Sequence, residues 1–525
     1  MNDRKALTTN TINSGTNLGE VHLRTLKLIT IMKSSKTLPM KTLKLLVCAG
    51  LLWLGVDGVN AQSQAQDQTP SDGQWSLREC VDYAMKNSLT IKRSELTSRS
   101  SEVAYFQSKM AFLPTISGNG SLQWNFGRFI DPTTNQFINQ NTQTGNFGVS
   151  AGVLLFQGGQ QLNTYRQNEK SFRASIEDVK QSQYDASLNV AINYLLVLQN
   201  QELLEVARNQ AAISQAQVER TDKLVKAGSL PQTNLLDLQA QAANDQLNVT
   251  TADNNVRIAK LNLMQAMNLP AQENFEIEKI QLDDPTINTY DKTAAQIYDI
   301  AIGTQPTVRA ADMRVESTNY GIRASRGYLL PRISFGAGLN TYYSNANRLR
   351  GDLLSTETRT VGYVNGDATS PVITQIPVYD AARYPFGSQI SDNLGQFFGF
   401  NVSIPIINGW QARNGISRSI VQNKVSQLDA TNVRVQLRQN IEQAYLNLQA
   451  AASQYTANQQ QVAAQDLSFK ANETRFNVGL ANSVDYNTAK NNLARAQANL
   501  INSKYTYYFR VKILDFYQNK PLIEP

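Results

Sequence analysis

Residues 227–249 read AGSLPQTNLLDLQAQAANDQLNV, and residues 478–500 read VGLANSVDYNTAKNNLARAQANL. Each opens on a small or β-branched residue and a glycine, runs through polar and small residues, and settles into a Leu/Ala/Gln-rich helical pattern. Gly228 and Gly479 stand 251 positions apart. A unit that recurs at such a distance asks for the rest of the chain to be searched for the same offset.

Other landmarks keep it. Gly158 lies 70 residues before Gly228, and Gly409 lies 70 before Gly479. Pro270 follows Gly228 by 42 residues, as Pro521 follows Gly479. One interval differs: Pro114 to Gly158 is 44 residues, whereas Pro331 to Gly409 is 78. The chain therefore reads as two copies of one unit, with 34 extra residues in the second. Repeat 1 is expected over 62–270, a linker over 271–293, and repeat 2 over 294–525.

The residues before repeat 1 read as a targeting segment. From Met40 the chain runs MKTLKLLVCAGLLWLGVDGVNA, with Lys41 and Lys44 ahead of an apolar stretch over 45–56 and a small-residue site at Ala61. That is the pattern of a secretory signal peptide, too short to span a bilayer as a helix. Residues 1–61 hold eight Lys/Arg and three Asp/Glu, so they carry +5 of the formal +7 charge. Without them the chain is nearly neutral, which removes the argument for a nucleic-acid partner. His22 and Cys48 also fall in this segment, leaving Cys80 as the one later cysteine. A chain without histidine has no His-based triad or usual zinc site, and one cysteine makes no internal disulfide. No cofactor, metal or lipid anchor is expected.

Each copy mixes two periodicities. After Pro114, Ile116, Leu122, Trp124 and Phe126 share one parity, and Asn119, Ser121, Gln123 and Asn125 the other. Before Gly158, the residues Phe147, Val149, Ala151, Val153 and Leu155 alternate in the same way. Copy two repeats this with Ile333, Phe335, Ala337, Leu339 and Tyr343, and with Phe398, Phe400, Val402, Ile404 and Ile406. Period two marks strands with one apolar face, about ten residues long, the length a tilted strand needs to cross a bilayer. Hairpins are expected over 115–156 and 332–407, with polar loops over 127–145 and 344–395. A strand of a soluble sandwich has the same period.

Between the glycines proline is absent. A helix through 70 such residues is ~105 Å long, far beyond the needs of a globular core. Beyond each tip glycine a second helix returns. One heptad position of it reads Leu235, Ala242, Val249, Val256 and Leu263, and its counterpart reads Tyr486, Leu493, Leu500, Tyr507 and Leu514. That is a coiled-coil seam. Gly228 and Gly479 are expected to stop the outgoing helices, and Pro231 to start the returning one.

Two hairpins give four strands, which cannot close a barrel, and an open edge cannot remain in lipid. The chain must pool strands with copies of itself; three copies give twelve, though the strand count alone also allows two or four. The fold class expected is an α+β membrane protein. It has a trimeric β-barrel with four strands per protomer, continued by a long α-helical coiled-coil barrel, and an internal two-fold sequence repeat.

The paired layout, the opening WSLRECVDYAMKNSLTIK at 75–92, the Leu-Pro before each strand and the VGLANSVDY tip resemble the TolC-like outer membrane efflux protein family. The stretch FGRFIDPTTNQF at 126–137 is similar to its Bacteroidetes branch. The resemblance covers nearly all of the chain after the signal-like segment. It implies a homotrimer in the outer membrane that extends into the periplasm. A periplasmic membrane-fusion adaptor would join it to an inner-membrane pump of RND or ABC type. It also implies that Gly228, Gly479, Val478 and Leu480, with Ala227 and Ser229, form adaptor-docking tips. The gate positions it implies are Asp485 and Thr488 in copy two and Asn234 and Asp237 in copy one. The tyrosine and arginine that close such tips in the family are replaced here by Phe476 and Ala481, so closure is expected to depend on packing by Phe476. Asp485 is alternatively a cap of its helix.

A passive exit duct for efflux or type I secretion is the function this layout favours. An exported coiled-coil scaffold or surface adhesin would share the helices but not the apolar-faced hairpins. A soluble enzyme would need a site, and the adjacent Asp283 and Asp284 read better as a turn.

Overall fold

The computed structural model describes residues 73–130, 137–139, 141–280 and 290–520. The signal-like segment, Asp283, Asp284 and Pro521 lie outside the described residues. In chain order the elements are β1 (Gln74–Trp75), α1 (Leu77–Asn87), α2 (Leu89–Met110), β2 (Thr115–Asn125), β3 (Arg128–Ile130), β4 (Phe137–Asn139), β5 (Thr142–Gln157), α3 (Gln160–Lys226) and α4 (Gln232–Ala266). Then come β6 (Glu276–Ile277), α5 (Ala294–Thr304), α6 (Pro306–Arg326), β7 (Arg332–Ser344), β8 (Arg348–Tyr363), β9 (Pro371–Arg383), α7 (Phe386–Asp392), β10 (Gly395–Ser403), α8 (Gln411–Asn477) and α9 (Ser483–Tyr517).

Helices α3 and α8 are each 67 residues long, and α4 and α9 are each 35. At 1.5 Å per residue the longer pair reaches ~100 Å. Local chemistry sets their ends. Gly158 and Gly159 precede α3 with φ of +56° and +73°, while Gly409 and Trp410 precede α8 with +59° and +64°. Trp410 thus adopts a left-handed backbone that costs a non-glycine residue about 1–2 kcal/mol. Trp410 is exposed, and its ring lies 4.5 Å from the Arg413 guanidinium. Gly158 has a second constraint: a Cβ there would come within 2.6 Å of the Gly327 carbonyl oxygen. The short helices α1 and α5 both begin with capping boxes, Ser76 with Glu79 and Thr293 with Gln296. In each box two orphan N–H groups are satisfied reciprocally.

Strands β10, β7, β5 and β2 form one antiparallel sheet in that order. The register shows what the parity meant. Ile116 stands opposite Ala151, Val149 opposite Leu339, Val153 opposite Phe335, and Phe335 opposite Phe400. The apolar sets of all four strands therefore share one face. The other carries Ser117, Ser150, Asn119, Gly148 and Asn401, with a 3.1 Å hydrogen bond between the Ser117 and Ser150 hydroxyls. Phe397 on that face sits over Gly338, where a Cβ would come within 2.8 Å of its ring.

Two details depart from the expected strands. A bulge between Leu154 and Phe156 puts Phe156, not Leu155, opposite Ile333 on the apolar face. Strand β10 ends at Ser403, short of Ile404 and Ile406, because Pro405 has no N–H to continue a ladder.

The 344–395 segment was expected to be a polar loop, but it is folded. It contains the β8–β9 hairpin, turned at Asn365 and Gly366 with φ of +52° and +77°. It also contains α7, whose buried Gln389 accepts from the Ser344 N–H and donates to the Ser344 and Tyr384 carbonyls. Phe386 of α7 packs edge-on against Phe147 and Tyr343.

Below the sheet the long helices pack with the short ones. One cluster joins Cys80, Val81 and Ala84 of α1 to Val190, Tyr194 and Val197 of α3 and Leu263 of α4. The Tyr194 hydroxyl donates to the Glu278 and Trp75 carbonyls at 2.6 and 3.2 Å, bracing the parallel β1–β6 pair. A second cluster joins Ile297 and Ala301 of α5 to Ile441 and Leu448 of α8 and Leu514 of α9. Every heptad residue expected on the α4 and α9 seams is buried or half-buried.

Candidate functional site

The two helical tips lie at the end of the molecule's longest elements. At the first, the Ser229 N–H bonds the Leu224 carbonyl at 2.9 Å and the Gly228 N–H bonds Val225 at 2.9 Å. At the second, the Leu480 N–H bonds Arg475 at 2.8 Å and the Gly479 N–H bonds Phe476 at 3.1 Å. Both are Schellman turns, which need a left-handed residue at the position the glycines hold with φ of +74° and +79°. No atom lies within 4 Å of a Cβ built on either glycine. Beside Gly479, Val478 and Leu480 are 64% and 71% exposed, so the second tip presents apolar side chains that its own fold does not bury. Ala227 and Ser229 are exposed at the first tip.

Returning helix α4 starts at Gln232, with Pro231 in the N-cap position rather than inside the helix. The half-buried Asn234 closes its first turn through an N–H bond to the Pro231 carbonyl at 3.2 Å. Helix α9 is capped by Asn482, whose side-chain oxygen accepts from the Asp485 N–H at 2.8 Å. Asp485 is therefore not the cap. It is an exposed carboxylate in the first turn, where the helix dipole favours it. Asp237 lies on the neighbouring helix and accepts from the buried Ser483 hydroxyl at 3.3 Å, which brings the two tips together. Thr488 is exposed on α9.

Phe476 does not stand alone. Its ring stacks on Tyr486 at 5.0 Å, and Tyr486 meets Phe469 at 5.7 Å, in a cluster that includes Leu238 and Leu493. Burial pushes the Tyr486 phenol up to about 12, helped by the Glu473 and Asp245 carboxylates, so it stays neutral at physiological pH.

Sequence reasoning missed a further group. Lys490 of α9, Asp245 of α4 and Ser214 of α3 are all buried, and they bond one another. The signal was present: Lys490 lies four residues after Tyr486 and three before Leu493, on the apolar seam.

The comparisons agree with this architecture. The family model described as outer membrane efflux protein matches residues 81–269 and again 297–515. The chain is 22% identical over 438 residues to the outer membrane efflux protein BepC of Brucella suis, covering 82% of this chain and 84% of that one. It is similar in fold to the CmeC outer membrane channel of Campylobacter jejuni, with a TM-score of 0.66, 15% identity, and 85% and 87% of the two chains covered. The outer membrane protein VceC of Vibrio cholerae gives a TM-score of 0.67, 12% identity, and coverage of 85% and 97%. With two matches of one family model and tips, sheet and helices laid out as above, the chain belongs to the outer membrane efflux protein family, and it is an outer-membrane efflux channel rather than an enzyme.

Proposed function

We propose that three copies of the chain close edge to edge into a twelve-stranded barrel. The observation that carries this is a four-stranded sheet with one apolar face and, on β2 and β10, two outer edges that no neighbour pairs among the described residues. Unpaired backbone cannot remain at the lipid boundary. Along the order β10-β7-β5-β2 each strand reverses, so β2 of one copy runs antiparallel to β10 of the next, as closure requires. The family resemblance favours three copies among the possible totals.

The ~100 Å helices then continue below the barrel as a tunnel through the periplasm. The equal lengths of α3 and α8, and of α4 and α9, support the two-copy organisation over 62–270 and 294–525, joined by 271–293. Residues 1–61 direct export. The tips at Gly228 and Gly479, with exposed Val478 and Leu480, receive a periplasmic adaptor that links the channel to an inner-membrane pump of RND or ABC type. Asp485 and Asp237 give a trimer two rings of three carboxylates near the tunnel end, a constriction that favours cations. Asn234 and Thr488 complete the two rings, and Phe476 holds the end through Tyr486.

Crosslinking in native membranes tests the assembly. It should give a three-step ladder, and a stable monomer with full β content would overturn the reading.

A further inference from the structure

The seam between the two helical hairpins carries polar pairs alongside two apolar clusters, one joining Leu238 of α4 to Tyr486 and Leu493 of α9, the other joining Val190 of α3 and Leu263 of α4 to Tyr505 of α9. Up the length of α9 and its tip, the Arg220 guanidinium donates to Asn477 at 2.6 Å, Gln199 donates to Asn502 at 2.7 Å, and the Tyr505 hydroxyl donates to Glu202 at 2.8 Å. On α3 the buried residues near the tip are Gln210, Ser214, Gln217 and Thr221, at the four-three-four spacing that a coiled coil gives its core. Beside them Phe469 and Phe476 pack on Tyr486, in the cluster that holds Leu238 of the first hairpin.

One group in the seam differs in kind. The Lys490 ammonium, 1% exposed, donates to both the Asp245 carboxylate and the Ser214 hydroxyl. The Ser214 hydroxyl donates to Asp245, and the Gln241 amide donates to the other Asp245 oxygen at 2.9 Å. The charges are paired in a buried site, with Lys490 on α9 and Asp245 on α4. Displacing either helix by a turn parts two buried charges, and displacing α3 removes the Ser214 hydroxyl that bonds both. An uncompensated buried charge is strongly destabilising. The group also has no copy. At the 251-residue offset, Asp245 corresponds to Ala496, Ser214 to Gln465 and Lys490 to Gln239.

We infer that the Lys490–Asp245–Ser214 group is the register pin of the hairpin seam: it fixes how α9 sits against α3 and α4 and marks this seam as the one formed within a protomer. In a ring of six similar hairpins, a second kind of seam forms between protomers from equivalent faces. The missing counterpart charges tell the two kinds apart. The within-protomer register does not depend on the number of copies; only the second part of the inference rests on the trimeric reading.

Disulfide trapping tests it. Arg220→Cys with Asn477→Cys reports the native register, and Arg220→Cys with Glu473→Cys reports a one-turn slip; Cys80 is buried and does not compete. With Lys490 and Asp245 intact, only the native pair should close. In the apolar variant Lys490→Met with Asp245→Leu, the slipped pair should close with comparable yield, and the exchange Lys490→Asp with Asp245→Lys should restore the native pair alone. If the apolar variant fails to assemble, recovery of assembly by the exchange supports the pin, because an apolar filling alone would suffice for mere stability. An apolar variant that closes only the native pair overturns it, as does an exchange that restores nothing. Loss of the three-step crosslinking ladder with native trapping unchanged would instead count against the trimer.

Discussion

The tip glycine at 479 separates a local turn from a contact surface. Replacing it with alanine offers the chain two outcomes. It can keep φ near +79° with a Cβ that meets no atom within 4 Å, at about 1–2 kcal/mol for a left-handed non-glycine residue. Alternatively it can open the turn and forfeit the bonds to Phe476 and Arg475, each worth about 0.5–1.5 kcal/mol net. The cheaper outcome limits the cost to about 2 kcal/mol, and the cost stays local, because Tyr486 and Leu493 are held by their own cluster. Gly479→Ala should therefore leave thermal dissociation of the proposed trimer nearly unchanged on a gel and retain most export. Gly479→Trp carries the same backbone cost but places a large ring beside Val478 and Leu480. It should keep the trimer and abolish export in a complemented efflux-deficient strain. A Gly479→Ala variant that fails to assemble would show that the turn holds far more than its own backbone. A Gly479→Trp variant that exports normally would refute docking at this tip.

Four further outcomes follow from the same geometry. Asp485→Ala should raise single-channel conductance and weaken cation preference; unchanged conductance and selectivity would confine Asp485 to its helix's first turn. Asn482→Ala removes the N-cap acceptor and should lower thermal stability by about 1 kcal/mol with conductance unaltered; a conductance change equal to that of Asp485→Ala would mean the two residues act together. Gly158→Ala should sharply reduce assembled protein, because its Cβ meets the Gly327 backbone, whereas Gly228→Ala should not; equal yields would refute the close approach. Phe400→Arg on the apolar face should cost about 2–4 kcal/mol and prevent membrane assembly while Asn401→Arg is tolerated, read by heat-modifiable migration; equal tolerance would refute the assignment of the lipid face.

Much of this architecture could be read from the chain because its signals are periodic and long. Glycine and proline landmarks at equal intervals foretold helices that prove equal in length, and alternating residues foretold strands whose apolar sets meet in register. The missed features are ones that a single position decides. The bulge at Leu155 shifts one residue without disturbing the pattern around it. Asn482 and Asp485 are both good helix-start residues, and only the hydrogen bond shows which accepts. The β8–β9 hairpin was hidden in a threonine-rich insertion, although Asn365-Gly366 is a strong hairpin-turn pair. Lys490 was overlooked because a lysine in a long helix is usually solvated, and no local pattern reveals a partner 245 residues away.

The matched 67-residue helices also constrain how this protein can change over generations. The chain has accepted 34 extra residues between β7 and β10, where they fold as a separate hairpin and short helix. No such freedom exists in α3 or α8. A single residue inserted into one of them turns its remainder by about 100° and misaligns everything toward the tip. A whole heptad inserted into one alone would carry its tip about 10 Å past the other. Length in this part of the molecule can be inherited only as a joint property of four helices, so divergence is pushed outward to the loops.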